Sequence, residues 1–173
     1  AQATHAMPQI SAFTYQASQE VLDDLRQRIQ RVRWPEPATE PGWKQGVPLE
    51  KLETLLLYWA QQYDWRKCEA ALNRFSQYQT TIDGLDFHFI HAKSPHSNAL
   101  PIILTHGWPS SILDFVGIIP ALTHPEAYGG SANDAFHVVV PSLPGFAFSE
   151  KPKQRGWNSE RTAMAWTELM QRL

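Results

Sequence analysis

Two short apolar stretches, at 101–105 and 136–141, constrain the fold of this chain more than any other feature. Neither stretch alternates apolar with polar residues, which is typical of strands that are covered on both faces. A helical pattern of apolar residues fills 110–123 between them, and another follows at 159–173. The order strand, helix, strand, helix predicts an α/β sheet with right-handed crossovers, in which functional residues collect at the carboxyl ends of the strands.

A hairpin is predicted before these elements, because the sequence period changes to two at Tyr78. Apolar and polar residues alternate on both sides of Asp83-Gly84, a dipeptide that favours a two-residue hairpin turn. His88 and His91 follow in the second strand at an offset that places them on opposite faces. We therefore expect solvated or edge histidines here rather than a metal site.

The region before the hairpin is predicted to form a helical unit without catalytic groups. Helical spacing of apolar residues occurs at 18–33, where Ser18 is a suitable N-cap. Two further helices are predicted, one from Pro48 and one after Asp64.

A proline-rich segment with two tryptophans joins the first two of these helices. Because it is too aromatic for a flexible linker and too rich in proline for a helix, it predicts an ordered meander. Trp34 and Trp43 would then anchor this meander on an apolar surface. The alternative is a plain linker that carries two tryptophans by chance.

Composition excludes several classes of partner. The formal net charge of −2 gives no electrostatic reason to expect nucleic acid or an anionic membrane as a partner. No apolar run approaches the ~18 residues of a membrane span, and the first residues do not resemble a signal peptide. The single cysteine, Cys68, fits a reducing compartment and a place in the core rather than a nucleophile. These observations predict a soluble protein, cytoplasmic rather than secreted.

The most distinctive segment is Thr-His-Gly-Trp-Pro at 105–109, between the end of the first predicted strand and the start of the predicted helix. Gly107 allows close approach and unusual backbone angles, and Pro109 has no N–H and fixes the following turn. The Trp108 N–H is thereby isolated as a donor, which is what an oxyanion hole requires. From spacing alone, a tight strand-to-helix turn with a tryptophan packed over it is an equal alternative.

Several linked motifs resemble those of epoxide hydrolases. The segment "LTHGWPSSILDFVGIIPALT" resembles the His-Gly-Trp-Pro oxyanion motif of that family, and "PSLPGFAFSEKP" resembles the loop after the next strand. The segment from "PGWKQGVPLEKLE" to "FHFIHAKS" is similar to the N-terminal domain of microsomal-type members. The resemblance implies an N-terminal helical and meander domain at 1–77. At 78–173 it implies the first half of an α/β-hydrolase sheet in the order hairpin, strand, helix, strand, helix.

The resemblance also implies a reaction, the hydrolysis of small-molecule epoxides to vicinal diols through a covalent ester intermediate. A carboxylate opens the epoxide, lid tyrosines protonate its oxygen, and a histidine paired with a carboxylate activates water. By matching position, Trp108 would supply one backbone N–H of the oxyanion hole, and His106, Gly107 and Pro109 would shape its loop. The Trp108–Pro109 bond is expected to be cis. No cofactor and no metal are implied.

The sequence departs from the family pattern in one respect, since no segment of it corresponds to the nucleophile elbow. The nucleophile, the lid tyrosines, the charge-relay acid and the general-base histidine are therefore expected outside these 173 residues. Residues 1–173 alone are expected to be inactive. The alternatives are a non-catalytic binding or assembly module derived from the family, and another α/β-hydrolase activity such as ester or haloalkane hydrolysis.

The implied strand order also predicts an open sheet edge. Strand 101–105 would lie between strand 136–141 and the nucleophile strand, which leaves Ile102, Ile103 and Leu104 along an unprotected edge. We expect this edge to bind the complementary C-terminal half, or to mediate self-association of the chain.

Overall fold

The computed structural model describes residues 9–173. These residues form two compact units, which we call the helical unit (15–71) and the sheet unit (9–14 with 72–173). The first eight residues, on which the expected absence of a signal peptide partly depends, lie outside the described residues. Within 9–173, no helix has both the length and the apolar character that crossing a membrane requires.

The helical unit contains the three predicted helices, α1 (Gln19–Gln30), α2 (Leu49–Gln61) and α3 (Trp65–Leu72, whose last residue belongs to the sheet unit). The Ser18 hydroxyl caps α1 by accepting the Val21 N–H at 3.3 Å. The buried Glu69 carboxylate accepts the Ala17 N–H at 2.7 Å, and this bond lowers the pKa of Glu69. An ionised side chain of α3 therefore fixes the start of α1.

Much of the apolar surface of the helical unit is exposed. Helix α2 has no buried residue, although most of its side chains are apolar. Trp43 is 65% exposed, so the prediction that it anchors the meander is wrong. Trp34 is 39% exposed and borders a cavity together with Ile29 and Leu56, so its anchoring stays a prediction. A unit of three short helices is too small to cover its own apolar residues.

The sheet unit contains five strands in the order β1-β2-β3-β5-β4. They are β1 (Ile10–Phe13), β2 (Gln77–Ile82), β3 (Leu85–Ala92), β4 (Leu100–Ile103) and β5 (Phe136–Pro141). The pairs β1–β2, β2–β3 and β3–β5 are antiparallel, whereas β4 and β5 are parallel. The predicted α/β class, with an antiparallel hairpin followed by parallel strands, is confirmed.

The hairpin turn has the predicted geometry. Ile82 pairs with Leu85, and the two residues between them, Asp83 and Gly84, have φ values of 50° and 74°. Strand β1 was not predicted, because four residues with little alternation carry almost no local signal. It forms through pairing with β2, so the sheet unit begins before α1. The domain boundary after residue 77 stays a prediction.

The continuous helix predicted at 110–123 is wrong. The structure has a 3₁₀ turn at Ile112–Asp114 and a short helix, α4 (Ile119–Thr123). Gly117 lowers helix propensity between them, and Pro120 lacks the N–H that would bond to the Val116 carbonyl. Two further 3₁₀ turns follow, at Pro125–Tyr128 and Ala132–Asp134.

The last helix, α5 (Ser159–Arg172), lies as predicted, with the Asn158 side chain accepting the Arg161 N–H at 2.9 Å. It packs on one face of the sheet in a cluster of Ile82, Leu85, Phe87, Phe89, Val139, Ala165, Trp166 and Leu169. The opposite face is covered by α4 and the first 3₁₀ turn, in a cluster of Leu72, Ile90, Ile112, Ile119, Val138 and Val140.

The two predicted parallel strands differ in burial. Strand β5 is covered on both faces, as predicted, because Val139 points into one cluster and Val138 and Val140 into the other. Strand β4 is not, since Leu100 and Pro101 are exposed and Ile102 and Ile103 are only half-buried. Its position at the end of the sheet explains the difference.

The packing of α5 on the sheet gives a direct test of the fold. Leu169→Ala is expected to lower the free energy of unfolding by about 2–5 kcal/mol, because it leaves a cavity beside Phe87 and Phe89. Met164→Ala, at a position of the same helix that is 70% exposed, is the matched control and should change it by less than about 0.5 kcal/mol. Urea unfolding at one fixed protein concentration measures both. Equal effects would contradict this packing.

Candidate functional site

The carboxyl ends of β4 and β5 lie side by side at the same end of the sheet, because these strands are parallel neighbours. We call the segment that follows β4 the β4 loop (104–111) and the segment that follows β5 the β5 loop (142–150). The predicted site residues His106, Gly107, Trp108 and Pro109 all lie in the β4 loop. The structure thus places them where ligands bind in open α/β sheets.

The β4 loop leaves the sheet through a tight turn. The Leu104 N–H donates to the Val139 carbonyl at 2.9 Å, which is the last bond to β5. The Gly107 carbonyl then accepts the Ser110 N–H at 2.9 Å, and the Trp108–Pro109 peptide between them is cis, as the resemblance implied.

The turn leaves two backbone donors unused among the described residues, the N–H groups of Gly107 and Trp108. The Trp108 N–H has no hydrogen-bond partner among the described residues 9–173. Its indole is 84% exposed, so the alternative in which this tryptophan packs over the turn does not describe the structure. The geometry provides the unpaired Trp108 donor that was predicted, next to a second unpaired N–H at Gly107, and the role of this donor stays a prediction.

Gly107 differs from its predicted use. Its φ is not positive, and a Cβ atom at this position would meet nothing within 4 Å. Unusual backbone angles are therefore not what requires glycine here. Nothing that surrounds the Gly107 Cα excludes a side chain either.

His106 joins the two loops. The side chain is 4% exposed, and its Nε2 accepts the Leu143 N–H of the β5 loop at 3.0 Å. The ring proton must then lie on Nδ1, which faces the Gly107 carbonyl at 3.3 Å. The Phe146 ring packs edge-on against the imidazole, with 5.3 Å between ring centroids. The shaping role of His106 stays a prediction, and Leu143 is the residue that this side chain binds.

Helix α5 also contacts the β4 loop. The Trp166 indole N–H donates to the Thr105 hydroxyl at 3.1 Å. A cavity of about 500 Å³ lies between the two loops and α5, and it is bordered by Thr105, His106, Leu143 and Trp166 among others. Open space therefore lies directly beside the predicted oxyanion loop.

A second buried histidine, which the sequence analysis misjudged, lies beneath the β5 loop. His88 is fully buried in β3, so the expectation of a solvated or edge position is wrong. Its Nδ1 lies 2.8 Å from the Ser142 hydroxyl, and its Nε2 lies 2.9 Å from the Gln77 side-chain oxygen. The apolar neighbours Phe87 and Phe89 could have indicated burial, because a strand covered on both faces buries the residue between them as well.

Burial holds His88 neutral, since it lowers the pKa of the imidazole to about 4. The Gln77 amide nitrogen donates to the Leu72 carbonyl at 3.1 Å, so its oxygen accepts the proton of His88 Nε2. His88 Nδ1 accordingly accepts a hydrogen bond from the Ser142 hydroxyl. The rings of Phe13 and Phe148 cover the imidazole at 4.8 Å and 5.0 Å between centroids.

This imidazole predicts a pH dependence of stability. The pKa of His88 is about 4 in the folded chain and 6.5 without burial, so the unfolded chain binds more protons between these values. The contribution of the neutral His88 imidazole to the free energy of unfolding is complete above pH 6.5. It is lost as the pH falls towards 4, by about 3 kcal/mol in total.

Urea unfolding of wild type and His88→Gln across this pH interval measures the effect. Because His91 and the carboxylates titrate in both proteins, the difference between the two curves isolates His88. The variant should lose correspondingly less stability as the pH falls. Parallel curves would contradict a buried neutral imidazole.

Comparisons with known proteins identify the family. The family model described as "Epoxide hydrolase N terminus" matches residues 10–115. The chain belongs to the epoxide hydrolase family. A candidate epoxide hydrolase of Stigmatella aurantiaca is 58% identical over 164 residues, which are 95% of this chain and 37% of that protein. "Epoxide hydrolase 1" of Oryctolagus cuniculus is 39% identical over 168 residues, with the same coverage of 95% and 37%.

The fold agrees with this assignment. An enantioselective mutant of the epoxide hydrolase from Aspergillus niger superposes with a TM-score of 0.83 at 33% identity, over 98% of this chain and 45% of that one. The sheet unit is thus the N-terminal part of an α/β-hydrolase fold. The chain spans about 37% of the length of the curated relatives it matches.

Proposed function

We propose that this chain is the portion of an epoxide hydrolase that supplies the oxyanion loop, in an enzyme that converts epoxides to vicinal diols through a covalent ester. Membership of the family supports the reaction. One observation supports the role of the loop, which is the unpaired Trp108 N–H at the carboxyl end of β4.

The reaction needs such a donor in its second step. An enzyme carboxylate attacks an epoxide carbon, the C–O bond breaks, and the released oxygen takes a proton to become a hydroxyl. Water then attacks the ester carbonyl, and the carbonyl electrons move to its oxygen in a tetrahedral intermediate. Collapse of this intermediate releases the diol and restores the carboxylate. A backbone N–H aimed at the oxyanion stabilises the intermediate without having to reorganise.

Three neighbours of Trp108 support this role. Gly107 brings no side chain to the turn, and Pro109 offers no N–H of its own. His106 holds the loop to the end of β5. No residue of this chain is assigned as nucleophile, acid or base, so those groups are proposed to come from the C-terminal part of the enzyme.

A chimera tests this role, in which the chain replaces the matching 37% of the Stigmatella aurantiaca relative. We expect it to hydrolyse an epoxide such as styrene oxide. Trp108→Pro removes the N–H and should lower the rate of ester hydrolysis by about 10²–10³-fold, whereas Trp108→Ala keeps the N–H and should retain most of it. Residues 1–173 alone should form no diol above the uncatalysed rate. Equal rates for Trp108→Pro and Trp108→Ala would refute the oxyanion role.

The free edge of β4 supports a further part of the proposal, that the complementary C-terminal part adds to the sheet there. The Leu100 and Leu104 N–H groups donate to carbonyls beside or in β5, so those of alternate residues point to the free edge. Pro101 has none, which leaves Ile103 as the strand's outward donor. The edge is thus better protected than the sequence analysis expected, although its apolar side chains remain half-exposed.

Light scattering of purified residues 1–173 tests the edge. We expect self-association, because Ile102, Ile103 and Leu104 would pair with another copy when the complementary part is absent. Ile103→Lys should reduce association, whereas Met164→Lys, on an exposed part of α5, should not. A monodisperse wild-type monomer would show that this edge needs no partner.

A further inference from the structure

Helix α2 is apolar around most of its circumference, although none of its residues is buried. The second half of the helix and the two residues that follow, 54–63, carry no charged side chain. Leu55 and Leu57 are two positions apart and therefore point to nearly opposite sides of the helix, and they are 59% and 56% exposed. A surface helix turns polar side chains to solvent on one side, whereas a helix that is apolar all round is typical of a protein core.

Open space lies on both of these sides of α2. The first groove, a cavity of about 430 Å³, is bordered by Leu55 and Trp59 of α2 together with residues of α1 and α3. The second groove, a cavity of about 620 Å³, is bordered by Leu57 and Ala60 together with the end of α1 and the segment after it. All of these residues belong to the helical unit. The other two helices of this unit therefore leave two sides of α2 uncovered.

The occupant of the grooves must cover both sides of one helix. A small apolar ligand would fill one groove and leave the other side of α2 exposed to water. A two-fold contact between two copies of this chain pairs one surface patch with itself, and it would also cover one side. A large part of the same enzyme can cover both sides, because it can pack around the helix.

The charges beside the grooves exclude an anionic surface as the occupant. Arg26 is the one charged side chain that borders the first groove, and it already pairs with Asp23 at 3.2 Å. The charged side chains that border the second groove are Glu50 and Glu53, which repel anions. The apolar side chains of another folded part of the protein fit both grooves without an unpaired positive charge.

The relatives contain a part of the necessary size. The chain matches 37% of the Stigmatella aurantiaca relative, so more than half of that protein lies outside the matched segment. The Aspergillus niger enzyme superposes over 98% of this chain and 45% of its own. The fold that includes α2 thus occurs in an enzyme with a much longer chain.

We propose that α2 is a core helix of the complete enzyme, covered in both grooves by the C-terminal part. This inference rests on the proposed function in taking a C-terminal part to be present, and it is independent of the role of Trp108. The contact is also separate from the free edge of β4, which belongs to the sheet unit. The helical unit is then an assembly surface for the rest of the enzyme, and the burial of its apolar side chains stabilises the complete protein.

Hydroxyl-radical footprinting, read by mass spectrometry, tests this contact in residues 1–173 and in the chimera with the Stigmatella aurantiaca relative. Trp59 reports on the first groove and Leu57 on the second. Burial would take Leu57 from 56% exposed to the low exposure of a core leucine, so its oxidation should slow on the order of tenfold in the chimera. Val21 is the matched control, because it is 57% exposed on α1 and borders neither groove. Its oxidation rate should stay the same.

Matched substitutions give a second measurement. Leu57→Asp should lower the thermal midpoint of the chimera by about 5 °C or more, because a carboxylate would be buried without a partner. Val21→Asp introduces the same charge outside the grooves and should have little effect. In residues 1–173 alone, both substitutions should change the midpoint equally little. A chimera that folds with Val21→Asp and fails to fold with Leu57→Asp would support the proposal as well.

Three outcomes would overturn the proposal. Unchanged oxidation of Leu57 and Trp59 in the chimera would show that nothing covers α2, and protection of one alone would refute a cover on both sides. Protection that appears in residues 1–173 and grows with protein concentration would show that a second copy is the occupant. The oxyanion role fails separately, because Trp108→Pro without effect on ester hydrolysis would refute that role and leave protected Leu57 and Trp59 as support for this contact.

Discussion

The parallel pairing of β4 with β5 is the contact on which the arrangement of this site depends. It brings the carboxyl ends of two strands together, so that loops distant in the sequence lie side by side. Beyond Leu104 the ladder stops, and the backbone groups that follow need other partners. A histidine from each side provides them, since the Leu143 N–H donates to His106 Nε2 and the Ser142 N–H donates to the His88 carbonyl. The His88 ring in addition binds the Ser142 hydroxyl. Hydrogen bonds to His88 and His106 thus hold the residues that follow β5 in place where the ladder ends.

A buried imidazole is a costly way to fill a core, and its surroundings show why it is tolerated. Hydrogen bonds to Gln77 and Ser142 satisfy both nitrogens of His88, and two aromatic rings pack against the imidazole in edge-type contacts. Among the described residues, no buried side-chain polar atom lacks a partner. A fully satisfied network of this kind specifies one arrangement of strands and loop, which an apolar side chain could not do. The requirement for a neutral ring is what makes the network sensitive to acid.

Local signals explain which parts of the fold could be predicted. The Asp83-Gly84 turn and the Ser18 cap depend on neighbouring residues only, and both were predicted from the sequence. The helix at 110–123 was predicted from apolar spacing alone, although Gly117 and Pro120 already argued against it. The burial of His88 and the strand β1 depend on pairings across the sheet. No periodicity within either segment reports such pairings, which is why both were missed.

The same distinction applies to the site. Gly107 and Pro109 adjoin Trp108, so an unpaired N–H could be predicted from three consecutive residues. The partner of His106 could not, because Leu143 follows it by 37 positions and donates through its backbone, which every residue except proline can do. The residue type at position 143 therefore does not show that its backbone N–H binds a distant histidine.

Two of the backbone donors that the sheet unit leaves open lie along β4 and its loop. Ile103 faces the free edge, and the Trp108 N–H lies just beyond the same strand. Folded proteins leave few such groups unpaired unless water or another molecule binds them. A strand that adds in parallel to β4 would occupy that edge and end next to the turn at Gly107–Ser110. Under the proposed function, a segment that pairs with this edge would also lie beside the loop that carries the Trp108 N–H, so the same free edge would serve both the sheet and the proposed oxyanion loop.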